Sequence, residues 1–104
     1  MKTILVADDD PVIQRLLSYI LEQAGYLVVL AWDGMEALEA LESHKVDLVL
    51  LDLDMPRLNG LEVLTRIREH QVHFNIPVVI LTASGQEADA ERAWTAGVSQ
   101  FLTK

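Results

Sequence analysis

The sequence predicts an α/β fold, a doubly wound parallel sheet of five strands with helices on both faces. Three observations carry that reading. Short apolar runs alternate with longer stretches of helical period along all 104 residues, without a linker, repeat or low-complexity segment. The third run, DLVLLD, is apolar at four successive positions, as a central strand buried on both faces should be. Acidic and polar residues stand at the carboxyl ends of the runs, where sheets of this class carry their sites.

The first strand is Thr3 to Ala7. Asp10 then serves as N-cap and Pro11 as first helical residue of a helix whose apolar positions Val12, Ile13, Leu16, Leu17, Ile20, Leu21 and Ala24 form one stripe. Gly25 stops it. Tyr26 to Ala31 is the second strand, and Asp33 with Glu36 three places on marks a capped second helix ending near Ser43. Asp47 to Asp52 is the third strand. Asn59 and Glu62 cap a third helix carrying Leu61, Leu64 and Ile67, and Gly60 lets the preceding loop enter it. IPVVILT is the fourth strand; Ser84 and Glu87 cap a fourth helix that Gly97 closes, and Gln100 to Thr103 begins a fifth strand. Right-handed crossovers between parallel strands place helices on both faces of the sheet.

The bulk properties narrow the function classes. One domain of this length supports a single core, and 51% of it is apolar. No apolar run approaches the 18 or so residues of a bilayer span, and the N-terminus has no secretory pattern. The absence of cysteine excludes disulfides and thiolate metal sites. A net charge of −8 argues against gripping nucleic acid by its phosphates. The chain therefore reads as a soluble, cytoplasmic domain with no membrane and no direct nucleic-acid partner.

Asp8 and Asp9 follow the first strand, Asp52 ends the third, Thr82 the fourth and Lys104 the fifth. In a parallel sheet these ends share one edge, so the five side chains meet in one cleft. Carboxylates crowded there repel by roughly 4 kcal/mol per pair at about 4 Å and an effective dielectric of about 20. A hard cation removes that repulsion, and Mg²⁺ typically takes one or two carboxylates with waters and a phosphate oxygen. A central carboxylate can also attack a phosphoryl group to give an acyl phosphate, with an ammonium and a hydroxyl to neutralise and orient the group. The constellation reads as a phosphoryl-accepting aspartate.

At this point the sequence resembles a known family, the receiver domains of two-component response regulators. The stretches ILVADDD, DLVLLDLDMPRLNGLEVL, IPVVILTAS and AGVSQFLTK carry the resemblance, in order, over essentially the whole chain. The resemblance implies a flavodoxin-like sheet of strand order 2-1-3-4-5. It implies Asp52 as phosphoacceptor, Asp8 and Asp9 as the acidic pair serving Mg²⁺, and a backbone carbonyl of Asp54 on the metal. Thr82, the backbone N–H of Ala83 and Lys104 would bind the phosphoryl group, and Phe101 would be the aromatic switch paired with Thr82. Asp54 and Ser84 would tune the rate of phosphate loss. The implied donor is a histidine kinase or a histidine phosphotransfer protein, with small acyl phosphates also compatible.

Other motifs carry plainer readings. Asp10 is a helix cap, Met55 and Pro56 shape the loop after the acceptor, and His44, His70 and His73 serve as surface or capping residues. Trp32 and Trp94 are packing residues, Trp94 on a helix that in this family belongs to the partner-facing surface. The proline and fifth helix that usually follow the lysine are absent from residues 1–104, which implies a truncated receiver, less stable than a full one. Apolar residues of the fourth and fifth strands would then lie exposed, favouring a homodimer, and an output domain could follow residue 104. Two alternatives stand beside the phosphoacceptor: a docking receiver that works without phosphorylation, and an aspartate-nucleophile phosphatase, which LLDLDMP also resembles. In the phosphatases that motif sits on the first strand, whereas here the acidic pair precedes it.

Overall fold

The computed structural model describes residues 1–55, 57–82 and 87–103. Five strands and four helices alternate: β1 (Thr3–Ala7), α1 (Pro11–Gln23), β2 (Leu27–Ala31), α2 (Gly34–Ser43), β3 (Leu48–Asp52), α3 (Gly60–Glu69), β4 (Val78–Thr82), α4 (Glu87–Thr95) and β5 (Gln100–Thr103). All neighbours pair in parallel, in the order β2-β1-β3-β4-β5. The fold is the flavodoxin-like sheet expected.

Strands β2, β3 and β4 start one or two residues later than the sequence reading, and the residues flanking them bond to neighbouring elements. Tyr26 N–H closes the end of α1 on Leu21 O at 3.1 Å, and the Asp47 carboxylate accepts from Thr3 N–H at 2.8 Å. Pro77 has no N–H for the ladder and contributes only its carbonyl, to Val49 at 3.0 Å. Helix starts follow the predicted caps. Asp10 accepts from Val12 N–H, Asp33 from Glu36 N–H, and Asn59 with Glu62 closes a reciprocal capping box. Ser84, the expected cap of α4, lies outside the described residues, as does Pro56.

Alternation along the strands divides the sheet. Leu5, Ala7, Val49, Leu51, Val78 and Ile80 face α2, α3 and α4 and form the main core with Leu41, Val63, Leu64, Ile67 and Ala93. Ile4 and Val6 face the other way, where α1 covers β1 and β2. Beyond α1 this face opens into a groove of about 530 Å³ lined by Ile4, Leu21, Tyr26, Leu48, Leu50, Val79 and Leu102. Leu102 is exposed and Val79 and Leu81 are half-buried, so strands β4 and β5 present apolar surface there.

The α1 stripe needs correction. Val12, at 68%, Leu16 and Ile20 are exposed, while Gln14, at 1%, is among the most buried side chains of the protein. Seven apolar positions at about 100° per residue cover half the helix circumference, wider than one sheet contact can bury. The helix rolls so that Ile13, Leu17 and Leu21 are half-buried, and the Val12–Leu16–Ile20 edge is left in solvent. Trp32 and Trp94 are likewise exposed, at 43% and 53%, and are not core packing residues.

Arg68 of α3 fastens the other end of the molecule. Its guanidinium donates to Gly97 O at 2.7 Å, Ile76 O at 2.5 Å and Phe74 O at 3.2 Å, and reaches Ser99 Oγ at 3.5 Å. Ser99 Oγ in turn accepts from Val78 N–H at 3.1 Å, so one side chain joins the entries of β4 and β5 to α3. Burial lowers the Arg68 pKa from its ordinary value, leaving the group charged. Arg68→Ala is expected to cost about 1.5–3 kcal/mol, the range for hydrogen bonds to a charged group. Urea denaturation checks this: an unchanged midpoint at constant slope would show that the fork contributes nothing.

Candidate functional site

The register brings the strand ends together. Ala7 lies beside Ala31 and Leu51, Asp52 beside Leu81, and Thr82 beside Thr103. Asp8 is one residue beyond β1, Asp52 is the last residue of β3, and Thr82 the last of β4. Oxygen atoms of Asp8, Asp9 and Asp52 all lie within 4.8 Å of one another. Asp8 and Asp52 are buried, at 2% and 6%, and Asp9 is exposed, so the cluster is open on one side. Thr82 is fully buried on the neighbouring strand.

Local geometry aims these groups. The Asp8 carboxylate accepts from Asp10 N–H at 2.9 Å, and Asp8 N–H donates to Ala31 O at 3.1 Å. After Asp52 the chain turns over α2 and α3. Gly60 N–H returns to Leu53 O at 2.8 Å, and a side-chain carbon at Gly60 would lie 2.4 Å from Asp52 O. Leu53, Met55 and Leu58 are buried and anchor the loop, whereas Asp54 between them is exposed. Arg57, at φ 68°, sends its guanidinium to the Asp33 carboxylate at 3.0 Å, linking the loop to the N-cap of α2. The Glu36 N–H lowers the Asp33 pKa most; desolvation opposes it, and the Arg57 hydrogen bond and charge add to the lowering.

Of the predicted site residues, the fold brings Asp8, Asp9 and Asp52 into one cluster with Thr82 at the same sheet edge. Phe101 is half-buried against the main core, its ring on the strand beside β4. Ala83, Ser84 and Lys104 lie outside the described residues. Sequence reasoning missed Gln14, whose side-chain amide donates to Ala31 O at 2.6 Å, Asp8 O at 3.0 Å and Val6 O at 3.3 Å. A polar residue at the edge of the apolar stripe, beside Leu17 and Leu21 and one turn after the acidic loop, was the available signal.

The acidic cluster offers carboxylate oxygens only. That donor set suits a hard cation such as Mg²⁺ and not a soft transition metal. A second group, Glu42, His70 and His73, also brings ligand atoms within 4.8 Å. Its chemistry points elsewhere. Val72 and His73 donate backbone N–H bonds to His70 Nδ1 at 3.0 and 3.2 Å, so the ring proton sits on Nε2 and is given to Glu42 at 2.8 Å. A metal-bound imidazole needs the opposite arrangement, a donor on its second nitrogen. His70 caps the end of α3 and the turn that follows; His44 caps α2.

The model of the response regulator receiver domain family matches residues 4–104. The alkaline phosphatase synthesis transcriptional regulatory protein PhoP of Bacillus subtilis (strain 168) is 42% identical over 103 residues, 99% of this chain and 42% of that protein. The chain thus spans about two fifths of that relative's length. Among solved structures, response regulator TrrA of Thermotoga maritima in complex with Mg²⁺-BeF is 38% identical with a TM-score of 0.89, and the alignment covers 100% of this chain and 87% of that one. The chemotaxis response regulator CheY4 of Vibrio cholerae is 29% identical with a TM-score of 0.94 over the same shares. In sequence and in fold, the chain belongs to the receiver domain family of two-component response regulators.

Proposed function

We propose that residues 1–104 act as one phosphoacceptor receiver, a signalling domain and not an enzyme acting on an external substrate. The observation that carries the reading is the convergence of Asp8, Asp9 and Asp52 within 4.8 Å at the carboxyl edge of a parallel sheet. Asp8, Asp9, Asp52 and the Asp54 carbonyl would hold Mg²⁺, which supplies charge neutralisation for the incoming phosphoryl group. An Asp52 carboxylate oxygen attacks phosphorus, the bond from phosphorus to the donor's nitrogen or oxygen breaks, and the donor leaves with that electron pair. Thr82, Ala83 N–H and Lys104 would bind the phosphoryl oxygens. Movement of Thr82 and Phe101 would then pass the change to the α4–β5 surface. A histidine kinase or histidine phosphotransfer protein is the natural donor, and Asp54 and Ser84 would set how long the phosphate stays.

The test is intact-mass measurement after incubation with Mg²⁺ and a small acyl phosphate. One phosphoryl group is expected on the parent, and none on Asp52→Asn protein or on parent protein in chelator. Equal labelling of the parent and of Asp52→Asn overturns the assignment.

A further inference from the structure

We infer that Gln14 is a positioning residue for the acidic pocket: its amide holds the Asp8 peptide in place, so that Mg²⁺ affinity depends on a neutral side chain that touches none of the carboxylates. The inference rests on the magnesium reading above and adds a residue to it.

Three carbonyls converge on Gln14 Nε2, from Val6 and Asp8 at the end of β1 and from Ala31 at the end of β2. Carbonyl oxygens brought this close repel one another, and two N–H bonds from one nitrogen hold them together. Gln14 Oε1 is buried and has no hydrogen-bond partner among the described residues. The side chain is therefore used as a donor alone. Reversing the amide would set oxygen 2.6 Å from Ala31 O, which fixes its orientation.

The consequence falls on Asp8. Its N–H is tied to Ala31 O, its C=O to Gln14 and its carboxylate to Asp10 N–H. Both peptide groups flanking the Asp8 side chain are thus held, one by β2 and one by α1. Mg²⁺ demands near-octahedral geometry at about 2.0–2.1 Å, so a small swing of a carboxylate weakens binding. Partners that orient metal ligands typically cost 10–100-fold in affinity when removed.

Gln14→Met keeps the bulk of the side chain and removes its donors. Calorimetric titration with Mg²⁺ is expected to show binding weakened about 10–100-fold relative to the parent. The rate of labelling by an acyl phosphate should recover to the parent value at saturating Mg²⁺, so the half-saturating concentration moves and the maximal rate does not. A defect of packing alone would lower the maximal rate and leave Mg²⁺ affinity unchanged. Ser18→Ala, one turn along the same buried edge of α1 and bonded to nothing in the pocket, should leave Mg²⁺ affinity at the parent value. Should Gln14→Met fail to fold, Gln14→Asn, with its amide one methylene short, carries the same expectation. Parent-like Mg²⁺ affinity in a folded Gln14 variant overturns the inference. A parent that binds no Mg²⁺ overturns instead the magnesium reading on which it stands.

Discussion

Gly60→Ala protein is expected to lose about 1–3 kcal/mol of stability, the usual cost of forcing atoms into a packed interior, and to accept phosphate about 100-fold more slowly. The added carbon would sit 2.4 Å from Asp52 O and 2.9 Å from Leu53 Cα, contacts that backbone cannot yield without moving. Relief requires α3 to slide away from β3 or the Asp52 peptide to rotate. Either motion shifts the Asp52 carboxylate by a fraction of the distances that set in-line attack, where about 1 Å of misplacement costs about 100-fold. Gly25→Ala makes the informative comparison. It too faces a backbone penalty, at φ +94°, but nothing lies within 4 Å of the new carbon and the residue is at the far end of β2. It should lower the melting temperature and leave the labelling rate intact. Gly60→Ala protein with parent-like melting and labelling would mean that the close approach of α3 to Asp52 does not position the site.

The elements were legible because their signals are local. DLVLLD, the Asp10–Pro11 start and the Asn59–Glu62 box each state a structure within a few residues, and each is found where the sequence put it. The acidic edge was legible for a different reason. Once the strands are parallel, Asp8, Asp9 and Asp52 must share an end, whatever the loops do. What was not legible depends on how much of a face its neighbours cover. The stripe of α1 says that one side is apolar but not where the sheet contact falls within it, so exposed Val12 was assigned to the wrong environment and buried Gln14 was not singled out. Trp32 and Trp94 fail for the same reason: large aromatic side chains signal burial only when an element is there to cover them. The ties of Gln14 to three carbonyls, and of Arg57 to Asp33, join residues far apart in sequence through side-chain geometry, which no periodicity encodes.

Without a divalent cation, Asp52→Asn protein is expected to be more stable than the parent by about 1–3 kcal/mol, and Mg²⁺ should shrink that difference. Like charges 4.8 Å apart interact by roughly 3.5 kcal/mol at an effective dielectric of about 20. Asp9 is exposed and its share is screened, but Asp8 and Asp52 are buried and screened far less. Removing the Asp52 charge takes away that repulsion together with the favourable contacts Asp52 makes, and the sign of the change shows which is larger. Mg²⁺ at about 100 times its dissociation constant stabilises the state that binds it by about 2.7 kcal/mol, and this gain falls mainly to the parent, which keeps the full set of carboxylates. Urea denaturation of both proteins in chelator and in excess Mg²⁺ measures all four stabilities. If the Asn variant is the weaker one in chelator, the carboxylates are already neutralised by their protein surroundings and the pocket is not strained toward a cation. If it is the stronger, the fold gives up stability to keep these charges together, a sacrifice expected of a functional site and not of a core that only has to pack.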